Sequence, residues 1–207
     1  MLYAFLVIAG ILYISWYVYK RRKDHHLYQL IARFNKDEEF KRTLAMGLYY
    51  RFMKPLENEK CSSVFIRQTP LEFEAFVADV IEKYYGGSAF VTVATGDYGG
   101  SAFVTVATGD YGVDFEHTVN GDLYLGQVKC LCSDMSYKAI ALVHSNIAKR
   151  EAKGGYVVST GGFSKNAKKY GEELNIQLID GSRLAEMYME SIEGQPLPQY
   201  ALNPASN

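Results

Sequence analysis

The sequence predicts an α/β sandwich with a mixed central sheet, preceded by one transmembrane helix and a juxtamembrane helical segment. Three observations predict it. From residue 62 onward, helical and extended periodicities alternate in the order α-β-β-β-α-β-α-β-α, a pattern that packs helices against a sheet. Two extended runs, 112–116 and 123–129, flank Val119-Asn120-Gly121-Asp122, whose Asn-Gly pair marks a tight hairpin. Finally, Leu2 through Tyr19 carries no charged residue and is dominated by aliphatic and aromatic side chains.

That first stretch sets the organisation of the chain. About eighteen helical residues reach roughly 27 Å, close to a hydrocarbon core. Trp16, Tyr17 and Tyr19 stand where an aromatic belt belongs, and Lys20-Arg21-Arg22-Lys23 follows at once. The positive-inside rule then puts the N-terminus out and the C-terminal domain in the cytoplasm, with the protein a single-pass resident of the cell (inner) membrane. The charges follow the apolar run, and no small-residue cleavage site succeeds it, so an uncleaved anchor is expected over residues 1–20. The 207 residues leave room for one ordinary domain plus extras. With 22 basic and 23 acidic residues the net charge is −1, which gives no global case for nucleic acid and makes any basic surface local. Three cysteines exclude a secreted disulfide framework. Cys130 and Cys132 alone are a poor zinc site.

Residues 21–61 read as a basic flank and helical linker. Leu30, Ile31, Phe34, Phe40, Leu44, Leu48 and Phe52 recur at helical spacing. A spacer, a self-association surface forming a homo-oligomer, and a helix packed on the following domain all fit. That domain is expected over 62–190. Thr69-Pro70-Leu71-Glu72 has a capping residue, a proline in the first turn and an acid three residues on, so a helix starts there. Phe73, Phe76, Val77, Val80 and Ile81 form its apolar stripe, and Gly86-Gly87 ends it.

An exact tandem copy follows: residues 86–98 recur unchanged as 99–111. Each copy reads as a strand around Phe-Val-Thr-Val and a Gly-Asp-Tyr-Gly turn. Two short units do not make a solenoid. Only the second copy runs into Val113-Asp114, so it is expected in the core sheet, with Phe103 or Val104 and Val106 buried. The first copy is expected at the periphery, as a loop, a bulging hairpin or an added edge strand. Further on, helices are expected over 137–153, 165–174 and 181–188, and strands over 155–159 and 176–179. The Pro-rich 191–207 reads as a disordered tail.

The chemistry is concentrated at Asp114, Gln127 and Lys129. On a strand, residues i and i+2 share a face, so Gln127 and Lys129 point the same way, and the hairpin can bring Asp114 to them. Taken singly, an Asp at a strand start is a turn residue and a Lys on a strand is solvated. Together, a carboxylate beside an ammonium suits metal-assisted phosphodiester hydrolysis: the carboxylate holds a divalent ion, and the lysine orients water and steadies developing charge.

Gly112-Val113-Asp114, Gln127-Val128-Lys129, the run Gly154 to Ala167 and the run Ile176 to Leu184, in that order, resemble the catalytic domain of the Mrr-like restriction endonucleases. These belong to the PD-(D/E)xK nuclease superfamily, and Gln often replaces Glu in the Mrr branch. The resemblance covers roughly Gln68 to Met187. It implies a restriction-endonuclease-like sandwich in which Asp114, Gln127, Lys129 and a glutamate of the first helix are catalytic. It also implies Asp114, that glutamate and the Val128 carbonyl as ligands of Mg²⁺ (or Mn²⁺). Helix geometry does not separate Glu72 from Glu74; the family's Phe-Glu pattern favours Glu74.

For DNA as partner, Lys138 to Gly171 holds seven basic residues against Glu151 alone. Lys149, Arg150 and Lys165 are candidate phosphate contacts. Ser159 and Thr160 offer hydroxyls near a helix N-terminus. The implied activity is a membrane-anchored, cytoplasm-facing, Mg-dependent endodeoxyribonuclease acting in defence against incoming DNA. The alternatives are a DNA-binding or scaffolding protein with a degenerate nuclease fold, and a junction resolvase-like nuclease.

Overall fold

The computed structural model describes residues 8–22, 36–54, 62–92 and 112–192. The chain divides into two compact units, Met1–Asp37 with Glu193–Asn207, and Glu38–Ile192. In the first unit residues 8–22 are helical (α1). The expected transmembrane helix is not found there: among the described residues no helix is long and apolar enough to cross a membrane. Lys20, Arg21 and Arg22 lie inside α1, so its apolar part runs over 8–19. At 1.5 Å per residue that is about 18 Å, well short of a hydrocarbon core of about 30 Å. Residues 1–7 of the expected span, and the tail from 193, lie outside the described residues.

The second unit has the element order α2 (Glu38–Phe52), α3 (Pro70–Tyr85), β1 (Ser88–Val91), β2 (Phe115–Val119), β3 (Asp122–Lys129), α4 (Lys138–Arg150), β4 (Gly154–Ser159), α5 (Lys165–Glu173), β5 (Gln177–Ile179) and α6 (Gly181–Ser191). From α3 onward this is the order expected from periodicity.

Helix α3 starts where its chemistry says it should. Thr69 Oγ1 accepts the Glu72 amide, while Glu72 Oε2 accepts the Thr69 amide at 2.7 Å and its hydroxyl at 2.9 Å. These bonds, led by the Thr69 backbone N–H, hold the Glu72 carboxyl below its ordinary pKa. A depressed carboxyl pKa adds stability above its unfolded value, and that stability is lost as pH falls through the folded value. Thr69→Ala is expected to cost about 1 kcal/mol at neutral pH, roughly 2–4 °C in melting temperature. The gap to the parent should narrow once Glu72 is protonated. Thermal melts at pH 7 and pH 3 check both statements.

The five strands lie in the order β1-β2-β3-β4-β5. The first three pair antiparallel and the last three parallel, so the sheet is mixed. Asn120 (φ 52°) and Gly121 (φ 84°) make the β2–β3 turn, both in the left-handed region that an Asn-Gly hairpin needs. One face of the sheet is covered by α2, α3 and α6, through Phe52, Phe73, Val77 and Leu184 against Phe115, Val128 and Val158. Helices α4 and α5 cover the other face, with Ile140, Val143 and Ala167 against Val157. The segment with three open roles before residue 61 thus contributes α2 as a helix packed on the domain, clamped where Arg51 Nε donates to Gln68 Oε1 and Gln68 N to Arg51 O.

His117 is fully buried on β2. Its Nε2 lies 2.7 Å from the Gly86 carbonyl and its Nδ1 3.1 Å from the Tyr156 hydroxyl. A carbonyl only accepts, so Nε2 carries the proton and the hydroxyl donates to Nδ1.

The first copy of the repeat pairs with the strand that follows Asp114, in one of the places expected for it: Ser88 registers with Thr118 and Val91 with Phe115. The first copy is therefore a strand of the sheet itself, at its edge, with Ala89 and Val91 packed on α3's core and Phe90 exposed. The second copy, expected in the core sheet, lies outside the described residues, Phe103, Val104 and Val106 included.

Candidate active site

Asp114 sits immediately before β2 and is buried. Its amide donates to the Gly126 carbonyl at 2.7 Å, although Gly126 is already the register partner of Phe115. This one-residue slip is the kind of irregularity that re-aims a side chain. Asp114 Oδ2 accepts the Val128 amide at 2.6 Å and lies 3.8 Å from Lys129 Nζ. The pair is half-open: the Lys129 side chain is 45% exposed and that of Asp114 10%. The Asp114 backbone is fixed from the other side by Thr92, whose amide donates to Asp114 O and whose hydroxyl donates to Val113 O at 2.5 Å.

Gln127 registers with Val157 and so points to the face covered by α4. It is buried, and its Oε1 has no hydrogen-bond partner. Its amide nitrogen packs so close to Gly112 that a Cβ there would come within 3.3 Å. A buried amide oxygen without a donor is costly, and such an atom marks a place where a cation or water belongs. Val128, by contrast, is buried toward the α3 face, and its amide is the Asp114 donor.

Glu72 is committed to the α3 cap, which leaves Glu74, half-buried one position beyond Phe73, as the other of the two glutamates weighed for the site. Helix α3 covers the Val128 face, so Glu74 belongs to the layer opposite that of Gln127. Among the described residues no group of three or more His, Cys, Asp and Glu could hold a metal ion. The donors at the site are a carboxylate and an orphaned amide oxygen. Such a set fits a small, hard cation that keeps much of its water, and does not fit zinc.

The candidate DNA contacts separate. Lys165 opens α5 at the end of the sheet that carries Lys129, since Lys129 registers with Ser159 at the end of β4. Lys149 and Arg150 close α4 near the start of β4, the opposite end. Arg150 Nη2 pairs with Glu116 Oε1 at 2.7 Å, and Lys153 pairs with Asp122. Ser159 and Thr160 are buried. Ser159 Oγ accepts the Gly161 amide, and Thr160 Oγ1 accepts from Leu131 N and donates to Leu131 O. Both hydroxyls build the turn after β4 and neither faces solvent. Sequence reasoning missed Thr92, which holds the strand end at Asp114, and named Thr160 as a phosphate contact where its hydroxyl bonds Leu131. Thr92 was hidden because it belongs to the copy assigned to the periphery.

The restriction-endonuclease family model Mrr_cat matches residues 66–188. This is more than half of the chain, and the chain belongs to that family. Its matched region is accordingly a nuclease domain of the hydrolase class. Two solved structures are similar to the chain. One is the MspJI restriction endonuclease in complex with a 27-mer oligonucleotide, at 22% identity over 61% of this chain and 29% of that one, with a TM-score of 0.44. The other is protein VC1899 from Vibrio cholerae, at 13% identity over 81% of this chain and 56% of that one, with a TM-score of 0.43. The chain thus spans 29% and 56% of their lengths. A search of curated proteins found no match.

Proposed function

We propose that the protein is a divalent-metal-dependent DNA endonuclease. The observation that carries this reading is the convergence of Asp114, the unpartnered Gln127 Oε1 and Lys129 at one end of the sheet of an Mrr-family domain. Asp114, Gln127 Oε1 and the Val128 carbonyl would hold Mg²⁺. When bound, the ion supplies Lewis-acid polarisation of the phosphate and a more acidic water. Lys129 orients the attacking water and faces the charge that builds on the phosphoryl oxygens. The Val128 N–H holds Asp114 in place, and neutral Gln127 makes ion binding weaker than a second carboxylate would. Lys165 contacts the backbone of the substrate. Cutting incoming DNA is the role that suits a restriction-type nuclease.

The test is cleavage of supercoiled plasmid by the full chain, expected with Mg²⁺ and absent with EDTA. Lys129→Ala should slow cleavage by about 10²–10³-fold, the scale of losing one charge-stabilising donor. Gln127→Glu should lower the Mg²⁺ concentration needed for half-maximal rate, because it restores a charge. Binding of plasmid without cutting at any Mg²⁺ or Mn²⁺ concentration would instead identify a degenerate, DNA-binding domain. Strong preference for four-way junctions would identify a resolvase-like enzyme.

A further inference from the structure

The loops that follow β3 and β4 are tied to each other at the end of the sheet that carries Lys129. Met135 and Phe163 form a parallel bridge, in which the Met135 amide donates to Gly162 O at 2.9 Å and the Ser164 amide to Met135 O at 3.0 Å. Both side chains of the bridge are buried. Each loop turns into a helix two residues on, so Tyr137 at the start of α4 and Lys165 at the start of α5 emerge together. Tyr137 is 50% exposed, yet its ring is braced against Tyr170 of α5, with centroids 5.7 Å apart and 70° between the planes. A ring braced in this way has given up freedom before any ligand arrives, which lowers the cost of binding. Lys138 and Lys165 are both exposed. Among the described residues neither belongs to an ion pair, whereas Arg150, Lys153 and Lys169 each do.

This group stands on the same layer and edge of the sheet as the candidate site. Strand alternation puts Lys129 on the α4 face with Gln127. A Cβ at Gly112 would meet Leu142 of α4 and Gln127 Nε2, both at 3.3 Å, so the start of α4 packs beside Gln127. Lys138 lies one helical turn from Leu142, about 6 Å nearer the edge. We propose that Tyr137, Lys138 and Lys165 form a landing for a DNA strand with an unpaired nucleotide beside the cut: the lysines take phosphates and the Tyr137 ring stacks on the base. The substrate class rests on the nuclease reading of Asp114, Gln127 and Lys129. In a duplex both faces of a base are covered by its neighbours, so a protein ring stacks only on a base that has left the helix. Such stacking is indifferent to sequence, because every base has a π-face. The substrate is therefore DNA with a mismatched, looped or frayed segment.

Fluorescence anisotropy of the full chain, with EDTA present so that nothing is cut, tests this. The probes are a short labelled duplex and the same duplex with a central run of mismatches. The parent should bind the mismatched probe about tenfold or more tightly than the paired one. Tyr137→Leu, which keeps an apolar contact with Tyr170 but has no ring, should erase most of that advantage. Tyr137→Trp should keep it. Lys138→Ala and Lys165→Ala should each weaken binding to both probes and make the log–log salt dependence shallower by about 0.9. The proposal fails if the mismatched probe has no advantage, if the advantage survives in Tyr137→Leu, or if both lysine variants keep the parental salt slope. Absence of binding to either probe sinks it as well. A parent that shows the advantage but never cleaves would overturn the nuclease reading alone. One that cleaves plasmid without the advantage would overturn this proposal alone.

Discussion

Asp114→Ala should abolish metal-dependent cleavage, with a rate loss of about 10³-fold or more, equivalent to ~4 kcal/mol of transition-state stabilisation. The effect has two sources that a pair of variants separates. Alanine removes the carboxylate and also strands the Val128 amide, which donates to Asp114 Oδ2 at 2.6 Å. A buried donor left without its acceptor costs about 1–3 kcal/mol of folding stability. Asp114→Asn keeps an oxygen for that amide while removing the charge. Asparagine should therefore melt near the parent and still fail to cleave. Rates on plasmid and thermal melts of both variants are the measurements. Parental cleavage by Asp114→Asn would remove Asp114 from the centre of the site.

Gly126→Ala should be among the most damaging single-methyl changes in the domain. A Cβ at this position would fall inside the ring of Phe115, its register partner on β2. That ring has nowhere to go: Phe115 is fully buried and stacks on Tyr156 at 6.1 Å with 14° between planes. Overpacking of this kind costs about 1–3 kcal/mol or more, and each kcal/mol lowers the melting temperature by roughly 2–4 °C. The site should suffer too, since the Gly126 carbonyl holds the Asp114 amide. Adding Phe115→Leu to Gly126→Ala frees space and should recover part of the loss. If Gly126→Ala melts with the parent, the close approach of strand and ring described here is wrong.

What the sequence disclosed was what is encoded locally. The α3 cap needs Thr69 and Glu72 three residues apart, the hairpin needs left-handed backbone at Asn120 and Gly121, and each is visible in a few letters. Asp114 and Lys129 were legible for the same reason, because a tight hairpin and strand alternation fix their meeting. Features decided by tertiary packing were not. The bonds of the Thr160 hydroxyl depend on Leu131, at a strand end 29 residues away, and the placing of Lys149 at the far end of the sheet depends on the direction of α4. The apolar run near the N-terminus satisfied a hydropathy pattern, but the described helix there is too short and too charged at its end to span a bilayer.

His117 offers a consequence of a different kind. Its ring is sealed between the Gly86 carbonyl and the Tyr156 hydroxyl, whose pKa burial pushes well above the ordinary tyrosine range. The imidazole proton on Nε2 is held by the carbonyl of Gly86, which is exposed at the end of α3. Its exchange with deuterium therefore times the opening of the joint between α3 and β2. An NMR signal from that proton, followed in time, would report on that joint from one nucleus.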